Sequence, residues 1–250
     1  MLSFLKTGRI MFAAGMAGLG VLCLLDKDFI IGRPKPWNTL LPDWNPALAY
    51  ISGVIVIASA FAIILNKQAK NAALLIALII IFLTIPREFL DHLKNWLSAY
   101  KSLALLGGAL IIASSYELNK KKSIYILWAG TICLSAFFIA AGYAHFKYDD
   151  FTKNYIPAYL PFHGFFTYFC AVCQIAGGIG ILIPVIRKWA ALLSGIMLTG
   201  WFFLLHLPKF FADVNNKGER MGVFESLVLA GVFFTAYSIF KIIKQPKHSL

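Results

Sequence analysis

Three histidines, a glutamine and a glutamate interrupt the apolar second half of the chain: His145, His163, Gln174, His206 and Glu225. Imidazole titrates near neutral pH and is the commonest metal ligand, so this set could exchange protons with a quinone or hold a metal ion. No metal site is expected, because the histidines fall in different apolar runs and show no local ligand spacing. The plainer alternative is that histidines near helix ends sit in a membrane interface, where an ionisable group carries no functional presumption. Gln174 differs from them. It lies about eleven residues into its apolar run, roughly 16 Å deep at the helical rise, where an amide requires a partner. Cys170-Ala171-Val172-Cys173 has the CxxC spacing of thiol redox centres. A reactive pair needs a lowered thiol pKa, whereas these two stand about two turns inside an apolar run and there behave as small apolar side chains. Cys23 and Cys133 lie in other runs, so no disulfide framework is indicated. The chain has no phosphate loop, dinucleotide glycine fingerprint or serine nucleophile elbow, which leaves soluble-type cofactor and hydrolase chemistry without support.

The elements that must position these groups are helices in a bilayer. Of the 250 residues 60% are apolar and 15% aromatic, and the mean hydropathy is +0.75, far from the composition of a soluble domain. Runs long enough to cross the hydrocarbon layer recur at about residues 8–25, 46–65, 69–86, 124–146, 162–183, 187–208 and 221–243. An eighth, 101–116, is short, and counts as a span because its second-half counterpart is a good one. The first run ends in Leu24-Leu25-Asp26 without a small-residue cleavage pattern, and so reads as a span rather than a signal peptide. The proline-broken Gly32-Arg33-Pro34-Lys35-Pro36-Trp37 predicts an irregular loop with Trp37 and Trp44 at headgroup level. Segment 87–100 puts Phe89, Leu90, Leu93, Trp96, Leu97 and Tyr100 on one helical face and Arg87, Asp91, Lys94, Asn95 and Ser98 on the other, which predicts a helix lying on the membrane surface or a kinked continuation of the third span beyond Pro86.

Residues 46–120 are approximately repeated at 165–243. Pro86 and Asp91 coincide with Pro208 and Asp213 at an offset of 122, Leu41-Pro42 with Leu160-Pro161 at 119, Ala14-Gly15 with Ala141-Gly142 at 127, and Ser102-Leu103 with Ser226-Leu227 at 124. The expected fold is therefore an all-α integral membrane protein of eight transmembrane helices, built as two parallel-oriented four-helix bundle repeats, residues 1–120 and 121–250. On these offsets His145 stands for Gly18, His163 for Trp44, Gln174 for Ile55, His206 for Thr84 and Glu225 for Lys101. The polar set thus belongs to the second unit alone, as a pocket open to the outer side. Asp149, Asp150 and Asp213 read as solvated loop charges. The net charge of +12 comes from short turns on one side, where twelve Lys and Arg face the single acid Glu117. That asymmetry marks the cytoplasmic side and places both termini there, in the inner or plasma membrane. It signals topology and not nucleic-acid binding.

The chain resembles the DoxX family of four-helix membrane proteins. Ala141-Gly142-Tyr143-Ala144-His145-Phe146, His206-Leu207-Pro208 and Glu225-Ser226-Leu227-Val228-Leu229-Ala230-Gly231 carry the likeness, with Lys101-Ser102-Leu103-Ala104-Leu105-Leu106-Gly107-Gly108-Ala109-Leu110 in the first half. The resemblance covers nearly the whole chain, once per half, whereas the usual relative is a single unit. It implies an accessory or quinone-linked subunit of a membrane redox system, with a quinone as cofactor and a membrane or extracytoplasmic redox protein as partner. The alternative is a non-catalytic scaffold or assembly factor that docks through segment 87–100.

Overall fold

The structure is a computed structural model and describes residues 2–34 and 45–243. Trp37 and Trp44 lie outside the described residues. The elements are α1 (Leu2–Asp26), α2 (Asn45–Ile64), α3 (Ala69–Leu83), α4 (Ile85–Leu90), α5 (Trp96–Ser114), α6 (Lys121–Lys147), α7 (Asp149–Tyr155), α8 (His163–Gly180), α9 (Arg187–Trp201), a π-helical turn (Phe202–His206), α10 (Leu207–Ala212) and α11 (Lys217–Ile242). Among the described residues there is no strand.

Among the described residues seven helical stretches are long and apolar enough to cross a membrane, which makes this a multi-pass membrane protein by length and composition. Trp96–Ser114 is one of them, although the sequence makes it the doubtful span. Its deficit in length is made up by residues 96–100, which belong to the same helix. The 18-residue α8 is not among the seven, because His163, Gln174 and four glycines lower its hydropathy.

Helices α5 and α11 form the centre, touch each other, and are the two most enclosed spans. Helix α1 lies between α2 and α11, while α6 lies between α5 and α8. Helix α3 packs on α2 and α5, and α9 on α8 and α11. Residues 1–120 and 121–250 therefore share one core, with Phe12, Met16, Ile111, Phe138 and Phe233 all in the same buried cluster. Glycines allow the closest crossings. A Cβ on Gly231 would stand 2.5 Å from the Gly8 carbonyl oxygen, and one on Gly130 would stand 2.6 Å from that of Gly107. Without a hydrophobic drive between helices in lipid, such backbone proximity is what makes their dispersion contacts dense.

Two expectations are corrected. Segment 87–100 is not one surface helix: α4 stops at Leu90, His92 and Leu93 adopt left-handed backbone (φ +54° and +53°), and α5 starts afresh at Trp96, capped by Asn95. Only residues 85–90 continue the third span, after a break at Thr84. Arg87, placed on the polar face by periodicity, is fully buried because its guanidinium reaches Phe29 O (2.6 Å) and Asp28 Oδ1 (3.3 Å). Asp149 and Asp150 are likewise not loop residues. They open α7, where carboxylates suit the helix N-terminus, and Asp149 accepts from Lys153 Nζ (2.6 Å) and Tyr168 Oη (2.8 Å). Asp213 does lie in a loop and is exposed.

Candidate functional site

A cavity of about 760 Å³ lies among α6, α7, α8, α9, the π-helical turn and α11. His145 reaches it from the last turn of α6, Gln174 from the middle of α8, His206 from the end of the π-helical turn, and Glu225 from the third turn of α11. Cys170 also lines it, one turn before Gln174. His163, at the start of α8, and Cys173 do not. All four cysteines are unbridged. The remaining walls are largely apolar, with Phe137, Phe138, Phe166 and Trp201 prominent.

The polar side chains lining this space fall into two sets. His145 Nδ1, Thr167 Oγ1, Gln174 Oε1 and His206 Nδ1 are buried and have no hydrogen-bond partner among the described residues. A buried polar group left unmatched costs about 1–3 kcal/mol. Natural interiors rarely tolerate four together, and all four belong to side chains that line one space large enough for a ligand. The π-helical turn helps aim His206: its extra residue re-registers the helix before Pro208, and such turns concentrate at functional sites. Gly222 on α11 leaves room for the ring, since a Cβ there would stand 2.7 Å from His206 Nδ1.

The second set is satisfied and charged. Glu225 is buried, and its carboxylate accepts from Arg33 Nε (3.0 Å) and Lys101 Nζ (3.0 Å), with Arg33 Nη2 at 2.8 Å. Burial alone would lower the Arg33 pKa. The adjacent carboxylate outweighs that and raises it. With both its oxygens engaged, Glu225 is a charge anchor. Tyr155 donates to Glu219 Oε2 (2.8 Å), and burial together with that bond pushes its pKa up, so the phenol stays a donor. Lys209 Nζ lies 3.4 Å over the Tyr155 ring and donates to the Tyr155 carbonyl (2.9 Å).

Sequence reasoning missed Arg33, Lys101, Thr167 and Tyr155 as cavity residues. Lys101 was visible only as the position that Glu225 replaces, and the two turn out to touch. Arg33 lies 192 positions from Glu225 in a segment without periodicity. Among the described residues no three His, Cys, Asp or Glu side chains could hold a metal ion.

One family model, described as "Domain of unknown function (DUF8561)", matches residues 134–232. This is less than half of the chain. The stretch runs from mid-α6 into α11 and includes His145, His163, Gln174, His206 and Glu225, but neither Arg33 nor Lys101. No curated protein and no solved structure matches the chain.

Proposed function

We propose that this chain takes an amphipathic quinone from the bilayer into the cavity of its second half, as an accessory or electron-handling subunit of a DoxX-like membrane redox system. The observation that carries the reading is that four side chains each holding a buried, unpartnered polar atom, His145, Thr167, Gln174 and His206, line one largely apolar cavity. A quinone carbonyl accepts from an imidazole N–H, and the hydroxyl of the reduced form donates to an amide oxygen such as Gln174 Oε1. The aromatic walls suit a ring and an isoprenoid or alkyl tail. Phe169 on α8 and Leu204 in the π-helical turn both line the cavity and are about half exposed, so the way in lies between α8 and α9 from the lipid side.

The same proposal includes eight spans, with α8 as the eighth, arranged as two parallel repeats. The packing supports this: α1 on α2 mirrors α6 on α8, α3 on α5 mirrors α9 on α11, and α1 on α11 mirrors α6 on α5. Particular contacts repeat as well. Gly20 meets Gly53 O and Ile57, while Gly142 meets Ala171 O and Ile175. These pairs favour offsets of 122 in the first helix and 118 in the second, in place of 127 and 119. His145 then corresponds to Cys23, Gln174 to Val56 and His163 to Asn45. The basic turns support cytoplasmic termini in an inner or plasma membrane: Arg9 bonds Ser115, and Lys70 pairs with Glu117, so they share one end of the bundle.

The test is binding of a short-tailed benzoquinone to the purified full chain in nanodiscs. His145→Phe with His206→Phe removes two imidazoles at about 1–1.5 kcal/mol each and should weaken binding at least about tenfold. No binding by the unaltered chain, or unchanged affinity in the double variant, refutes the reading. Copurification of a partner protein without quinone would point instead to a scaffold.

A further inference from the structure

Segment Asp28–Arg33 dips into the bundle between α3, α4 and α5, with the side chains of Phe29 and Ile31 fully buried. Thr84 Oγ1 donates to Ile31 O (2.9 Å), Arg87 Nη1 to Phe29 O (2.6 Å) and Ser98 Oγ to Arg33 O (2.9 Å), and Ser102 Oγ stands 3.4 Å from Gly32 O. Gly32 makes the turn possible. Its φ is +88°, and a Cβ there would stand 2.3 Å from Ser102 Oγ.

On the repeat proposed above, Thr84 corresponds to His206, Arg87 to Lys209, Ser98 to Gly222 and Ser102 to Ser226. One of these contacts recurs in the second half: Lys209 Nζ donates to Tyr155 O just as Arg87 donates to Phe29 O. The others do not. His206 Nδ1 has no partner, Gly222 has no side chain to offer, and Ser226 Oγ turns back to Val223 O (2.9 Å). After Tyr155 the second-half segment edges the cavity with Ile156 and Leu160 without filling it, and turns Tyr159 and Phe162 outward, where they are exposed.

We propose that Asp28–Arg33 is a tethered internal occupant of the first-half counterpart of the cavity. The chain then has one ligand site, and the ligand is a carbonyl-bearing ring compound whose oxygen sits by His206 as Ile31 O sits by Thr84. The carbonyl requirement deepens the quinone reading and rests on it, whereas the self-occupied first half does not. The buried peptide supplies an apolar body, given by Phe29 and Ile31, with acceptor oxygens at its edge. A para-quinone presents the same pattern. A hydroquinone, whose second hydroxyl proton needs an acceptor beyond Gln174 Oε1, matches this all-acceptor edge less well.

The native cysteines make the test direct. Cys23 is fully buried beneath the segment, and Cys170 lines the open cavity. In the full chain carrying Cys133→Ala and Cys173→Ala, reconstituted in nanodiscs, a small permeant maleimide should modify Cys170 at least about tenfold faster than Cys23, because a buried thiol reacts only after local opening. Phe29→Ala with Ile31→Ala should raise Cys23 labelling and leave Cys170 unchanged. If that variant fails to fold, Thr84→Val, which removes one tether, gives the same ordering more weakly. A benzoquinone with a ten-carbon tail should bind at one equivalent per chain and slow Cys170 labelling, more strongly than its quinol does. His206→Phe should abolish that protection. Cys23 labelled as fast as Cys170 in the chain with an intact segment, or two equivalents of quinone bound, overturns the proposal. Protection equal or stronger with the quinol overturns its carbonyl requirement. Open Cys170, closed Cys23 and no quinone binding would refute the quinone reading and the carbonyl requirement, while supporting self-occupancy of the first half.

Discussion

Removing the charge of Glu225 tests the electrostatics of the cavity wall most sharply. The carboxylate sits between two cations at 2.8–3.0 Å, and its side chain is 6% exposed, against 29% for Arg33 and 20% for Lys101. Glu225→Gln leaves the two cations facing each other with no anion between them. Breaking a buried pair by deleting one partner costs about 3–5 kcal/mol. At about 2–4 °C per kcal/mol for a chain of this size, the unfolding midpoint should drop by roughly 6–20 °C. Lys101→Gln is milder. It leaves Arg33 and Glu225 as a one-to-one pair held through two nitrogens, and loses a single charged hydrogen bond worth about 1.5–3 kcal/mol. Combining the two substitutions removes the repulsion that Glu225→Gln creates, so the double variant should be more stable than their sum. Thermal unfolding in detergent, followed by far-ultraviolet circular dichroism, measures all three. If Lys101→Gln costs as much as Glu225→Gln, or if the two effects add, Glu225 is not the anion that holds both cations.

Gly222→Ala should push the His206 ring into the cavity and weaken ligand binding by at least about tenfold, roughly 1.4 kcal/mol, with little change in the unfolding midpoint; unchanged affinity would show that the ring has room to move. Gly130→Ala and Gly231→Ala each drive a methyl to 2.5–2.6 Å from backbone and should cost about 1–3 kcal/mol, whereas Gly164→Ala meets nothing within 4 Å and should gain up to about 1 kcal/mol; the unfolding midpoints decide. Lys153 and then Tyr168 hold the Asp149 carboxyl below its usual range. The attachment of α7 to α8 should therefore be complete above the ordinary aspartate pKa and be lost as pH falls through the lower folded value. Proteolysis between residues 147 and 162, compared across that range with an Asp149→Asn control, should show the dependence in the native chain alone.

The spans were legible because bilayer thickness imposes a length that hydropathy reads directly, and six of the eight runs appear at nearly the predicted places. Residues 96–100 were misassigned because their apolar stripe fits a surface helix and the first turn of a span equally well. The left-handed residues His92 and Leu93, which separate the two, carry no glycine or asparagine to announce them. Arg87 shows a different limit. Periodicity put it on a polar face, and only the return of Asp28 and Phe29 to the same point makes burial of a guanidinium tolerable. Within the cavity His145, Gln174, His206 and Glu225 stood out as polar interruptions of apolar runs. His163 stood out equally and lies elsewhere, since sequence fixes depth along a helix better than the direction in which a side chain points.

On the repeat proposed above, Lys101 and Glu225 correspond; they face each other across the contact of the two central helices, as Gly108 and Val232 do further along. Where identical subunits meet about an axis, each residue on it confronts itself, and lysine against lysine or glutamate against glutamate would repel. Opposite signs at such a spot are open to two different sequences and closed to two identical ones, so neither half has a self-complementary mate there. Produced as separate fragments, 1–120 and 121–250 should recognise one another and reject their own kind.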